Sequence, residues 1–215
     1  MMIQRGNKRK KIEEQSLSFS CYVWIFTILS FFGWCFEKVG RYLLYPADPI
    51  RDRGFLSLPL CTIYGTCLVL IGFLLGSPNE PSRWMKRLLQ KGEGLPKGLQ
   101  WIFRMLGYFI AAVLLSTAVE LFTGILFWNL GIPLWNYSER WGNLWGVICP
   151  QYSILWGFLI TLLMSVIWRP LCRWIMRVPQ RTRRIVAALM IVLMLGDFLF
   201  NCGYVIVTGK RFYFL

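Results

Sequence analysis

The chain has 215 residues, enough for one domain of ordinary size. Hydrophobic residues make up 56% of it and charged residues only 16%, against about a quarter charged in soluble domains, and its 11 Trp, 16 Phe and 9 Tyr exclude a disordered chain. Lys and Arg number 24 against 10 Asp and Glu, and His is absent, which removes His-based triads, His metal sites and His proton relays.

The N-terminal stretch carries Lys8, Arg9, Lys10 and Lys11 ahead of an apolar run. That run is longer than a signal-peptide core and lacks a small-x-small cleavage site, so it reads as an uncleaved first span. Apolar runs long enough to cross hydrocarbon fall at about 17–45, 58–76, 102–128, 151–168 and 186–208. Their length and the lack of period-two alternation exclude strands. The expectation is an all-α integral membrane protein with about five transmembrane helices. Residues 1–16 read as a basic cytoplasmic tail, 17–208 as a single membrane domain, and 209–215 as a short external tail.

Basic residues orient the spans. The tail holds Arg5 with Lys8–Lys11. The stretch between spans two and three holds Arg83, Lys86, Arg87, Lys91, Lys97 and Arg104, and that between spans four and five holds Arg169, Arg173, Arg177, Arg181, Arg183 and Arg184. These connections alternate onto one side. Arg41, Arg51, Arg53, Arg140, Lys210 and Arg211 fall on the other. The bias predicts a multi-pass protein of the bacterial plasma membrane, N-terminus cytoplasmic and C-terminus outside. The net charge of +14 then describes orientation and contact with anionic lipid, not nucleic acid.

An internal repeat runs through the chain. Arg53–Gly65 (R-G-F-L-S-L-P-L-C-T-I-Y-G) aligns without gaps on Trp141–Ser153 (W-G-N-L-W-G-V-I-C-P-Q-Y-S), matching Gly54 with Gly142, Leu56 with Leu144, Cys61 with Cys149 and Tyr64 with Tyr152. Upstream of each block a span carries one acid, Glu37 or Glu120, each about eighteen residues in, or roughly 27 Å from the cytoplasmic end. Two helix–segment–helix units plus a fifth helix result, related as a parallel repeat. Two readings of the repeat segments stand side by side. In one they dip back into the bilayer as re-entrant segments; in the other they are tight interfacial loops, since Trp135, Tyr137, Trp141 and Trp145 also suit an aromatic belt.

Acids inside spans are costly and point to function or to buried hydrogen bonding. Glu37 has Arg41 one turn on, so a local ion pair is one reading; Arg51 and Arg53 are further possible charge partners. Glu120 lacks such a neighbour. It sits in the stripe Ala112, Ser116, Glu120, Gly124, small and polar at four-residue spacing, which should face other helices. Asp197 heads a second stripe with Asn201, Tyr204 and Thr208, either a cavity lining or a hydrogen-bonded packing face. Asn143, in the second repeat block, joins these as a candidate polar residue. Seven Cys in odd number and without C-x-x-C spacing predict neither a disulfide framework nor a zinc site. With no His as base, a cysteine nucleophile has no visible support. No phosphate-binding loop and no dinucleotide fingerprint occur, and no catalytic, metal or cofactor constellation is expected.

The motifs F-F-G-W-C-F-E (31–37), R-G-F-L-S-L-P-L-C-T-I-Y-G (53–65), W-N-Y-S (135–138), N-L-W-G-V-I-C (143–149) and S-I-L-W-G (153–157) together resemble the bacterial CmpB family of ABC-transporter-type permeases. The resemblance covers roughly 20–205. Asp52, Thr62, Asn136 and Val147 depart from the family pattern, which has Asn, Pro, Asp and Arg there. A charge pair between the last two positions is therefore not available to this chain. The resemblance implies a permease-like subunit of unspecified substrate. A separate ATPase subunit would dock on loops 77–101 and 169–185, and five helices suggest a homo- or hetero-oligomer. The alternatives are a non-transporting membrane scaffold or regulator, and an intramembrane enzyme acting on lipid through Glu37, Glu120 and Asp197.

Overall fold

The computed structural model describes residues 17–44, 54–89, 94 and 96–212. Arg51, Arg53, Lys91 and the basic tail lie outside the described residues, as does the side chain of Arg41. Among the described residues, seven helices and one two-stranded hairpin form, in the order α1 (Phe19–Leu44), α2 (Thr62–Leu74), β1 (Gly76–Ser77), β2 (Glu80–Pro81), α3 (Arg83–Leu89), α4 (Lys97–Asn129), α5 (Pro150–Val166), α6 (Trp168–Arg177) and α7 (Gln180–Thr208). Three of them, α1, α4 and α7, are long and apolar enough to cross a membrane, and α5 with α6 makes a fourth candidate bent by 48°.

The departures from the expected spans have local causes. α2 starts only at Thr62, because Leu58–Cys61 is not helical, and its 13 residues cover only about 20 Å. α4 begins earlier than expected, at Lys97, directly after Pro96. The α5–α6 bend falls where Pro170 has no N–H for the carbonyl of Val166 and disfavours helical geometry at Arg169. Pro150 suits the first position of α5, where its missing N–H costs nothing. Gly209 closes α7 in the left-handed region with φ 67°.

α1 packs against α2, and α4 against α5, as two helix pairs joined through α2 and α4. α7 lies along α1, and most of its surface stays uncovered, as a lipid-facing helix would. Two close approaches fix the first pair. A Cβ at Gly33 would collide with the Tyr64 ring, and one at Gly65 with Ser30 and the Phe26 carbonyl. These are the small-residue contacts that bring helices together where lipid is as apolar as the side chains. The main core uses Ile25 and Leu29 of α1, Leu68 and Ile71 of α2, Tyr108 and Ala112 of α4, and Ile160 and Met164 of α5, and ends on Trp168, Cys172 and Ile175 of α6.

One end of the bundle is closed by the hairpin. The Tyr108 hydroxyl donates to the Gly76 carbonyl (2.8 Å), and Asn79 Nδ2 to the Ser165 carbonyl (2.9 Å). Glu80 pairs with Arg169, and Ser82 Oγ accepts from the Met85 N–H as N-cap of α3. At the other end the two connections differ. The backbone N–H of Cys61 donates to the Ser30 carbonyl (2.9 Å), halfway along α1 and roughly 21 Å inward of Leu44. The second connection, 130–149, is a chain of tight turns. Gly142, Trp145 and Gly146 all have positive φ (65°, 54° and 68°), and Leu144 bridges Ile148. A tryptophan in that region is uncommon and is held there by the turns on either side.

Candidate functional site

Helices α1, α2, α4 and α5 leave a cavity of about 570 Å³ between them. α5 and its C-cap residue line it from Trp156 to Ile167, a stretch of roughly 16 Å. The walls are mainly aromatic and aliphatic. Both Glu37 and Glu120 lie on them, so the structure brings together the two acids that the repeat predicts to be equivalent.

Glu37 arrives on the stripe Cys21, Ile25, Leu29, Gly33, of which every member is buried. Glu120 arrives on Tyr108, Ala112, Ser116, likewise buried. The matching four-residue registers turn both acids inward. The Tyr64 hydroxyl donates to Glu37 Oε1 at 2.6 Å, and its ring meets Trp156 edge-on, centroids 5.4 Å apart. Glu120 is 6% exposed. It is hydrogen-bonded by the Tyr137 side chain, while its Oε2 is buried with no hydrogen-bond partner among the described residues.

The aligned tyrosines of the two blocks have different roles. Tyr152, equivalent to Tyr64, does not reach an acid itself. It packs on the Tyr137 ring, centroids 4.8 Å apart, and Tyr137 holds Glu120. Tyr64 thus bonds Glu37 directly, whereas Tyr152 stacks on the tyrosine that bonds Glu120. Cys61 and Cys149, matched by the sequence alignment of the two blocks, have similar local settings. Each is the buried N-cap residue of the following helix, with extended backbone angles. Leu56 is buried whereas its counterpart Leu144 is exposed, and Gly54 keeps a negative or extended φ where Gly142 does not.

The remaining candidates lie elsewhere. Asp197 and Asn201 are absent from the cavity walls and hold the first connection. Asp197 Oδ2 accepts from the Leu58 N–H (3.0 Å). Asn201 Nδ2 donates to Ser57 Oγ (2.8 Å), to the Asp197 carbonyl (2.8 Å) and to Asp197 Oδ1 (3.1 Å). Arg211 donates to the Gly54 carbonyl. Tyr204 packs on Phe212, and its carbonyl accepts from Thr208 Oγ1. Asn143 braces the second connection, donating to the carbonyls of Ser138 and Arg140 and accepting from the Gly146 N–H.

Sequence reasoning missed Tyr137 as the partner of Glu120 and Trp156 as a cavity wall. Tyr137 stood out only as an interfacial aromatic, and nothing local links it to an acid seventeen residues upstream. Two of the four departures from the family pattern, Asn136 and Val147, are accommodated in the second connection. Val147 is buried against Gly124, and its carbonyl accepts from Trp135 Nε1 (2.7 Å). Asn136 Oδ1 accepts from the Ser138 N–H and hydroxyl.

Long apolar helices, a bent pair and a half-open cavity bearing two carboxylates define a polytopic helical membrane protein. The chain belongs to the CmpB family, described as "Putative ABC-transporter type IV", whose family model matches residues 24–202. This membership makes it a transport-related membrane protein. No curated protein and no solved structure matches the chain.

Proposed function

We propose that the chain is the membrane-embedded, permease-like subunit of an ABC-type transporter and that the cavity between α1, α2, α4 and α5 is its solute site. One observation carries this reading: Glu37 and Glu120, from equivalent positions of two repeats, line one cavity. Solute sites at repeat interfaces follow that arrangement.

In this reading 17–208 is one membrane domain with five crossings. α2 is too short alone, and the partly buried segment before it supplies the missing depth, a reading supported by the Cys61–Ser30 hydrogen bond. The repeats run parallel, the N-terminus is cytoplasmic and the C-terminus outside, in a bacterial plasma membrane. The basic stretches 77–101 and 169–185 face the cytoplasm, where a separate ATPase subunit docks and where a second membrane subunit completes the pathway.

Purification of the tagged chain from its own host should recover an ATPase subunit in constant ratio, and Glu120→Gln should abolish solute-stimulated ATP hydrolysis while leaving the complex assembled. A chain that purifies alone in mild detergent, with a Glu120→Gln strain growing as wild type, refutes the reading. Single-cysteine labelling should find position 140 accessible from outside and position 177 only from inside; the reverse pattern overturns the orientation. A non-transporting scaffold is the second reading. It is favoured by the Asp197–Asn201 stripe, which binds backbone and serine of the first connection instead of lining a path.

A further inference from the structure

The solute reading leaves the ligand open, and the walls of the cavity narrow it. Polar groups gather at one end: Tyr64, in contact with Trp156, holds Glu37, and Tyr137 holds Glu120 close enough to Glu37 for the two charges to interact. The other end, along α5 past Leu159, is walled by Ile160, Leu162, Leu163, Val166 and Ile167. The cavity is thus amphipathic along its length. Among the described residues that line it, two are acids and none is Lys or Arg. Trp135, Trp156, Tyr64 and Phe36 add aromatic rings at the acid end, the groups that attract organic cations most strongly in a desolvated site.

Glu120 supplies an independent sign of a missing ligand. It is 94% buried by its 6% exposure, it lines the cavity, and its Oε2 lacks a partner among the described residues. A buried carboxylate oxygen without hydrogen bond or counter-charge is costly, and an incoming cation would offset that cost. An anionic solute, or a neutral one without a hydrogen-bond donor, would leave the oxygen as it stands, and a neutral donor would supply no counter-charge. A metal ion does not fit, since no group of three or more metal-binding side chains occurs among the described residues.

We propose that the cavity binds an amphipathic organic cation, with its ammonium head at the Glu37–Glu120 end and its apolar tail along Leu159–Ile167. This inference rests on the cavity being the solute site. The same chemistry belongs to a free alkylammonium compound and to an amine-bearing lipid headgroup. A zwitterionic lipid would bring a phosphate for which the described walls hold no cation, which favours the free amphiphile.

The test uses the full chain in phosphatidylglycerol nanodiscs with tritiated hexyltrimethylammonium as probe and empty nanodiscs as blank. Wild-type protein should bind saturably, and Glu120→Gln should weaken binding by about tenfold or more. Lengthening the alkyl tail should tighten binding by about fourfold per methylene until the apolar end is filled. Leu163→Trp should weaken hexyltrimethylammonium and leave tetramethylammonium unchanged. Competition by phosphatidylethanolamine in the nanodisc would assign the site to a lipid headgroup; its absence assigns it to a free amphiphile, and either result keeps the cation chemistry. Equal binding of hexyl sulfate, or unchanged affinity in folded Glu120→Gln protein, overturns the proposal. Should Glu120→Gln fail to fold, wild-type charge selectivity and the Leu163→Trp result decide it. An ATPase complex that assembles without cation binding sinks this inference alone; cation binding without any ATPase sinks the transporter reading alone.

Discussion

Replacing Asp197 with Ala should loosen the first connection without touching its repeat counterpart. The Asp197 carboxylate accepts two hydrogen bonds, from the Leu58 N–H at 3.0 Å and from Asn201 Nδ2 at 3.1 Å. A hydrogen bond to a charged group contributes about 1.5–3 kcal/mol in soluble proteins, whereas polar pairs within membranes average about 0.6 kcal/mol. The Asn201 bond lies within α7, so only the Leu58 bond holds the segment; one bond between these limits gives about 1 kcal/mol, or about fivefold in its opening equilibrium. Cys61 reports that opening, because it is 4% exposed and ends the held segment. Maleimide labelling of a Cys61-only background should accelerate by about that factor in Asp197→Ala. Cys149 is 1% exposed and sits on a connection that α7 does not hold, so a Cys149-only background should label at an unchanged rate. An equal acceleration at both cysteines would mean general destabilisation, and no acceleration at Cys61 would mean that the tether carries no energy.

Gly33→Leu should cost about 1–3 kcal/mol by driving a side chain into the Tyr64 ring, while Gly40→Ala, with nothing within 4 Å of its Cβ, should be neutral or stabilising by up to about 1 kcal/mol; fluorescence-detected thermal melts of the two would rank them. A double-mutant cycle of Tyr64→Phe and Glu37→Gln should return a coupling of about 1 kcal/mol in an SDS-unfolding titration, given their 2.6 Å contact; a value near zero contradicts the bond. The Glu80–Arg169 pair joins side chains 47% and 40% exposed, so its cycle should return less than about 1 kcal/mol and shrink with added salt.

Much of the architecture is legible in the residues alone. The stripe Ala112, Ser116, Glu120, Gly124 has a four-residue period, and all four are buried. Cys61 and Cys149, aligned with each other in the sequence, are both N-caps of the helices that follow. What stays hidden depends on distance along the chain. The partner of Asp197 is a backbone N–H at Leu58, a group every residue carries, so no side-chain pattern marks it. The partner of Glu120 comes from a turn whose course is set by Gly142, Trp145 and Gly146, and a tryptophan in a left-handed position leaves no sequence signal. The length of α2 was hidden too, since the apolar composition of Leu58–Cys61 is the same whether that segment is helical or extended.

The tether between α7 and the first connection also orders the assembly of the protein. Ser57 and Leu58 are synthesised and delivered to the bilayer long before Asp197 and Asn201, which follow about 140 residues later along the chain. Chains are made at about 5–20 residues per second. For roughly ten seconds, then, the nascent protein holds an apolar segment whose polar backbone groups have not yet met their final helix. Trp24 on α1, which donates to the Arg183 carbonyl at the start of α7, waits as long. The first half of the bundle is therefore finished by the last described helix, and damage near the C-terminal end of that helix would appear as misfolding near the beginning of the chain.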